Sequence, residues 1–354
     1  MKKLYLGFLV ILLLAVSLLI ACTGSTTQTS SQATTTSNPT QTTTAATSTQ
    51  ATSGNWWDKF GTPQYGGSLT MSTLAVQQNF DPYTFMFAQY CFCYEGLFYP
   101  DWTLDRNTWG MVGMFVPEKY FSGNLAESWE LTDQQTMTIH LRQGVMWQNK
   151  APVNGREFTS EDAVFHFDRM LGTGHGYTKG SPYSAMMTSN WEKVTAVDQY
   201  TIQIHFKNPC GGVAFFSASD QAAFLWFEAP EWVALGGPIT DEPATSGPLY
   251  EWQNAVGTGP WILSDFVNGT SLKYTKNPTY WGHDPRYPQN QVPYADTMTV
   301  LQIPDSATQV AALRTGKLDY LAAVDWQHSQ SLANTDLEKA KVGLSTASGL
   351  MFRN

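Results

Sequence analysis

From Thr136 to Arg142 apolar and polar side chains take turns: Met137, Ile139 and Leu141 alternate with Thr138, His140 and Arg142. A period of two with branched side chains predicts a half-buried strand. Leu125 to Glu130 leads into it, Gly144 ends it, and Asn149 to Gly155 supplies turn residues around Pro152. The period then changes. Thr159 can cap free amides, Glu161 and Asp162 sit where a helix dipole favours negative charge, and Ala163, Val164, Phe167, Met170 and Leu171 follow at helical spacing. Trp191 to Phe206 predicts another strand, with Tyr200, Ile202, Ile204 and Phe206 alternating with Thr201, Gln203 and His205. Leu272 and Tyr274 alternate with Ser271, Lys273 and Thr275 in the same way. Ser306 opens a short helix with Ala307, Val310, Ala311 and Leu313 inward, and Gly316 is placed to end it. Strands interleaved with helices predict an α/β fold.

The first 54 residues follow a different pattern. Lys2 and Lys3 precede an apolar run from Leu4 to Ile20, which predicts a signal peptide over residues 1–21 rather than a permanent membrane span. Leu19-Ile20-Ala21-Cys22 matches a bacterial lipobox, so Cys22 is expected to carry a lipid after cleavage. Acyl chains in a bilayer contribute about 0.8 kcal/mol per buried methylene, enough for several chains to hold a protein at the membrane. From Thr23 to Gly54 there is no aromatic and no charged residue, so residues 22–54 are expected to form a lipidated, disordered tether.

Composition narrows the partners. About 300 residues remain after the tether, enough for two lobes. A net charge of −9 argues against nucleic acid or anionic lipid as the main partner. Thirteen Trp and 16 Tyr suit a pocket that stacks on its ligand, although core packing claims most of them. Cys91, Cys93 and Cys210 read as small buried hydrophobes, with Cys91 and Cys93 on one strand face. His140 and His205 fall on polar strand faces, which reads as solvated surface. No nucleophile elbow, zinc-protease helix, phosphate loop or paired-cysteine motif is present. Gly257-Thr258-Gly259 is not a dinucleotide loop, because Pro260 and Trp261 continue into a strand. The sequence therefore implies neither an enzyme nor a metal or cofactor.

Four segments, in order, resemble family 5 of the extracellular solute-binding proteins, the receptors of ABC importers for peptides, nickel and some oligosaccharides. They are Gly66 to Thr70 with Asp81-Pro82; Leu125 to Leu171; Val256 to Trp261 with Asn277 to Trp281; and Ile303 to Asp319. The resemblance implies a two-lobed periplasmic-binding-protein fold of type II with an extra inserted domain. It places the first lobe at about 56–80 and 191–300, the insert at about 81–190 and the second lobe from about 301. Family members are longer, and Leu350 to Asn354 resembles the middle of a strand, so the carboxy-terminal part is expected to be missing.

For the site, the resemblance points to Phe85, Met86 and Phe87 past the Asp-Pro pair and to Tyr183 in Ser181-Pro182-Tyr183. It also points to Ala323 and Val324, and to Ser345, Ala347 and Gly349 as a strand facing an extended ligand. The expected function is a monomeric, lipid-anchored extracytoplasmic receptor that captures a solute and delivers it to an ABC permease. Peptide is the first expected ligand, oligosaccharide the second and nickel the third. The competing class, a membrane-tethered secreted hydrolase, needs two convergent carboxylates, and no such pair is visible.

Overall fold

The computed structural model describes residues 55–75, 80–84, 92–105, 108, 117–182, 184–209, 226–237, 246–321, 327–328, 332, 337–339 and 351–353. All of them belong to one compact unit, Gly54–Asn354. In chain order the elements are β1 (Ser68–Thr73), β2 (Phe98–Pro100), β3 (Phe121–Gly123), β4 (Ala126–Asp133) and β5 (Thr136–Leu141), then α1 (Ser160–Leu171) and α2 (Ala185–Asn190). Next come β6 (Trp191–Asp198), β7 (Thr201–Phe206), α3 (Pro230–Ala234), β8 (Trp261–Val267), β9 (Ser271–Lys276), β10 (His283–Asp284) and β11 (Tyr287–Gln291). Then follow β12 (Thr297–Gln302), α4 (Ser306–Arg314), β13 (Tyr320–Leu321), β14 (Leu337–Lys339) and β15 (Met351–Arg353).

Two sheets carry the architecture. An antiparallel sheet has the order β4-β5-β7-β6, and a mixed sheet has the order β14-β15-β13-β1-β12-β9-β8. The alternation in β5 drives the first sheet. Met137, Ile139 and Leu141 are buried, and across the ladder Ile139 faces Ile202. Thr138 departs from the expected polar face, since β5 is an inner strand and the Thr138 hydroxyl meets Thr132 and Gln203 instead of water. Phe167 of α1 packs on this sheet against Trp191, ring centroids 5.4 Å apart.

The start of α1 is as its sequence predicts. The Thr159 amide donates to Asp162 Oδ2 at 2.9 Å, and the acidic group sits at the positive end of the helix. Asp162 does more than cap. It is buried and takes both Nη groups of Arg156, whose Nε reaches Glu231 on α3 at 2.5 Å. Gly172 ends α1 at φ 72°, and a Cβ there would lie 2.5 Å from the Lys179 carbonyl carbon. Only glycine serves both the turn and the close approach.

Several expectations are corrected. Residues 191–206 join the antiparallel sheet, β7 pairing with β5 and β6 pairing with β7. The same stretch is a hairpin of two strands, because Asp198 to Thr201 turns the chain. Beyond residue 301, strands β13, β15 and β14 extend the sheet that holds β1. In α4 the buried stripe is Gln309, Val310 and Leu313, one step of i, i+3 and i+4, and this leaves Ala307 and Ala311 outside. The cap is Asp305, which accepts from the Thr308 amide at 2.8 Å. Finally, Phe92 and Cys93 lie in a turn rather than a strand.

Cys93 is a buried free thiol, as a small hydrophobe would be. Burial pushes its thiol up to about 12, so the reactive thiolate is scarce near neutral pH. Alkylation near about pH 8 followed by peptide mass mapping should leave Cys93 unmodified in the folded protein and modify it in urea. Labelling at equal rates in both states would contradict its burial.

Candidate functional site

Strands β1, β12 and β13 run parallel at the centre of the mixed sheet. Thr73 lies beside Gln302, and Ser72 beside Leu321, so the three carboxyl ends reach one edge together. In open α/β sheets ligands bind outside the carboxyl ends of such strands. Two of the segments expected to meet ligand adjoin these strands in the sequence, one after β13 and one before its partner β15. Phe85, Met86 and Phe87 follow Asp81–Thr84, Ala323 and Val324 follow β13, and Ser345, Ala347 and Gly349 precede β15. These residues, with Tyr183 and Cys22, lie outside the described residues.

What the structure does bring together is the footing of two of these segments. Ser181 Oγ donates to the Tyr83 carbonyl at 2.7 Å, and the Ser181 amide donates to Met170 O at 2.9 Å. Tyr83 in turn donates its amide to Asp81 Oδ1 at 3.0 Å. Beneath this junction is a buried ionic cluster that the sequence reading missed. Arg169 on α1 holds Asp81 with both terminal nitrogens, at 2.8 and 2.7 Å, and also reaches Glu228 at 2.9 Å. Glu228 pairs its other oxygen with His166 Nδ1 at 2.6 Å. The partners are 59 to 88 residues apart in the chain, so no local spacing announced them. The available signal was a helix with His166, Asp168 and Arg169 amid apolar neighbours.

The cluster is sealed: Asp81, Glu228 and His166 are each 0 % exposed. It therefore holds the scaffold rather than a ligand. Burial works to raise the Glu228 pKa, but His166 and Arg169 outweigh it, and the carboxyl ends below its ordinary value. A depressed carboxylate contributes stability that is present above the unfolded value of about 4.3 and is lost as pH falls through the folded value. Urea midpoints followed down past about pH 4 should fall for the wild type. Glu228→Gln, weaker at neutral pH, should fall less steeply, and parallel curves would show that other groups drive the acid limb.

A second buried carboxylate behaves oppositely. Glu95 accepts from Tyr280 Oη at 2.6 Å and from Trp281 Nε1 at 3.1 Å. Burial raises its pKa, and these donors oppose the rise without cancelling it. The difference is physical, because Glu228 has cationic partners and Glu95 has only neutral ones. Glu95 lines an open cleft of about 1650 Å³ that also includes Phe92, Tyr99, Trp102, Arg142 and Trp281. Nothing in the sequence had grouped these residues. Among the described residues, no set of three His, Cys, Asp or Glu side chains is placed to hold a metal ion.

Residues 121–354 match the family described as bacterial extracellular solute-binding proteins, family 5 middle. The chain belongs to this family. Among curated solute-binding relatives, it is 31% identical to heme-binding protein A of Haemophilus influenzae over 210 residues, which is 56% of this chain and 34% of that protein. It is 30% identical to the dipeptide-binding protein of Escherichia coli over 198 residues, covering 54% and 34%. Both are binding proteins rather than enzymes, and the chain spans about a third of their length. Among solved structures, the periplasmic binding protein DppA from Helicobacter pylori, in complex with peptide STSA, superposes with a TM-score of 0.55 at 23% identity. That match covers 78% of this chain and 51% of DppA. It shows the fold expected from the resemblance, the type II solute-binding fold.

Proposed function

We propose that the chain captures an oligopeptide or dipeptide outside the cytoplasm and delivers it to the permease of an ABC importer. One observation carries this reading: residues 121–354 match the family 5 solute-binding proteins, and β1, β12 and β13 of that fold end at one shared carboxyl edge. On this reading Phe85, Met86, Phe87, Tyr183, Ala323, Val324, Ser345, Ala347 and Gly349 contact the solute. The first lobe is built on the mixed sheet, and the insert on the antiparallel sheet through residue 206. Solute contacts made only in the closed form shift two lobes toward closure, and that form docks on the permease. Cys22 anchors the receptor to the membrane through lipid, and residues 23–54 tether the monomeric binding unit.

Thermal melting with added ligand tests the proposal. A pool of di- to tetrapeptides should raise the transition, by about 2.7 kcal/mol when ligand reaches a hundredfold its Kd. Heme, nickel ion and an oligosaccharide serve as competing arms. A shift with one of those and none with peptide would overturn the peptide assignment. For the anchor, Cys22→Ser should move the protein from the membrane fraction to the soluble fraction; unchanged fractionation would remove the lipid from the proposal.

A further inference from the structure

The cleft beside Glu95 contains a charge that meets no counterpart among the described residues. Arg156 meets Asp162 and Glu231, Arg169 meets Asp81 and Glu228, and Arg286 meets Asp284. Arg142 is half-buried and, among the described residues, meets no carboxylate. Its Nε donates to the Asn124 carbonyl at 3.1 Å, and its guanidinium carbon sits 4.8 Å from the centre of the Trp281 ring. Those two contacts fix the plane of the group. They leave the two terminal nitrogens, a ready-made fork for a carboxylate, without a described partner on the cleft side.

The rest of the cleft says what should carry the anion. Phe92, Tyr99 and Trp102 line the same space, which suits an aromatic or apolar body. The nearby acid Glu95 accepts from Tyr280 and Trp281, and among the described residues it makes no ion pair with Arg142. Glu127 also lines the cleft but is exposed, and water screens its repulsion. A partly desolvated guanidinium stacked on Trp is held in one geometry, so an incoming carboxylate loses little to ordering it.

We propose that this cleft is a second small-molecule site, distinct from the strand-end site, that takes an organic carboxylate on an aromatic body with Arg142 as its anchor. The probe is 4-phenylbutyrate, with neutral 4-phenylbutyramide as the control, titrated calorimetrically into the full chain. The acid should bind saturably at millimolar concentration and the amide about tenfold more weakly. Arg142→Gln should lose about tenfold in affinity for the acid and leave amide binding unchanged. Arg142→Lys keeps the charge but not the fork, so it should fall between the two. Saturating peptide should not displace the acid, which separates this site from the proposed solute site. Equal binding of acid and amide by the wild type would overturn the proposal without any variant. So would unchanged binding by a folded Arg142→Gln protein, or no saturable binding of either probe.

Discussion

Replacing Arg169 by Met is expected to cost the fold about 3–5 kcal/mol, the range for breaking a buried pair and leaving its partner charges behind. Arg169 is 5% exposed and is the common partner of Asp81 and Glu228, both fully buried. Deleting it leaves two carboxylates with His166 as the remaining neighbour cation, and only if His166 is protonated. Urea unfolding at neutral pH measures the loss directly. Arg169→Lys should recover part of it, because the charge returns but the bidentate hold on Asp81 does not. The pH dependence adds a second check. Without Arg169, Glu228 takes up a proton more readily, so the gap between variant and wild type should narrow as pH falls. A loss below about 1 kcal/mol would mean that the cluster is solvated rather than sealed.

Gly257→Ala is the other large effect. A Cβ at this position would lie 1.9 Å from the Cys93 carbonyl oxygen and 2.6 Å from its carbon, both backbone atoms with no rotamer to yield. The surrounding hydrogen bonds resist relief, since the Gln148 amide donates to Gly257 O at 2.9 Å and the Gly259 amide donates to Cys93 O at 2.8 Å. Overpacking of this kind costs about 1–3 kcal/mol and occasionally more, so Tm in calorimetry should drop by several degrees. Gly259→Ala, whose Cβ would meet the same oxygen at 2.7 Å, should cost less. An unchanged Tm in Gly257→Ala would show that the two segments do not approach this closely.

These two sites also mark the limit of reading by pattern. Strand β5, the cap of α1 and the strand after Gly259-Pro260 were legible because each is set by residues within a few positions of one another. The family was legible because four such local signals occur in one order. The Asp81–Arg169–Glu228–His166 cluster was not, since its members share no period and meet only through the fold. The glycines of Gly257-Thr258-Gly259 were set aside only as not forming a dinucleotide loop. Their role is the approach of Cys93, which lies far earlier in the chain. The inward face of α4 was misjudged because alanine fits either side of a helix, and only the positions of Leu318 and Leu321 decide which stripe is covered. Arg142 was counted as one more polar position of an alternating strand, and that it meets no carboxylate among the described residues shows only once its neighbours are known.

The pairing of β1 with β12 sets an order of events as the chain emerges amino end first. Ser68 aligns with Thr297, so the central strand is present long before its neighbours follow. The antiparallel sheet, drawn from Ala126–Asp133 through Thr201–Phe206, is complete far sooner and holds its contacts within a short stretch of chain. The antiparallel sheet is thus expected to fold as a unit while β1 still presents two open edges, and β13 closes the second edge only after β12 has closed the first. A chain that has emerged only as far as Thr297 would carry a finished antiparallel sheet and a bare strand ready to pair with another copy, which makes a pause in that window the step most prone to aggregation.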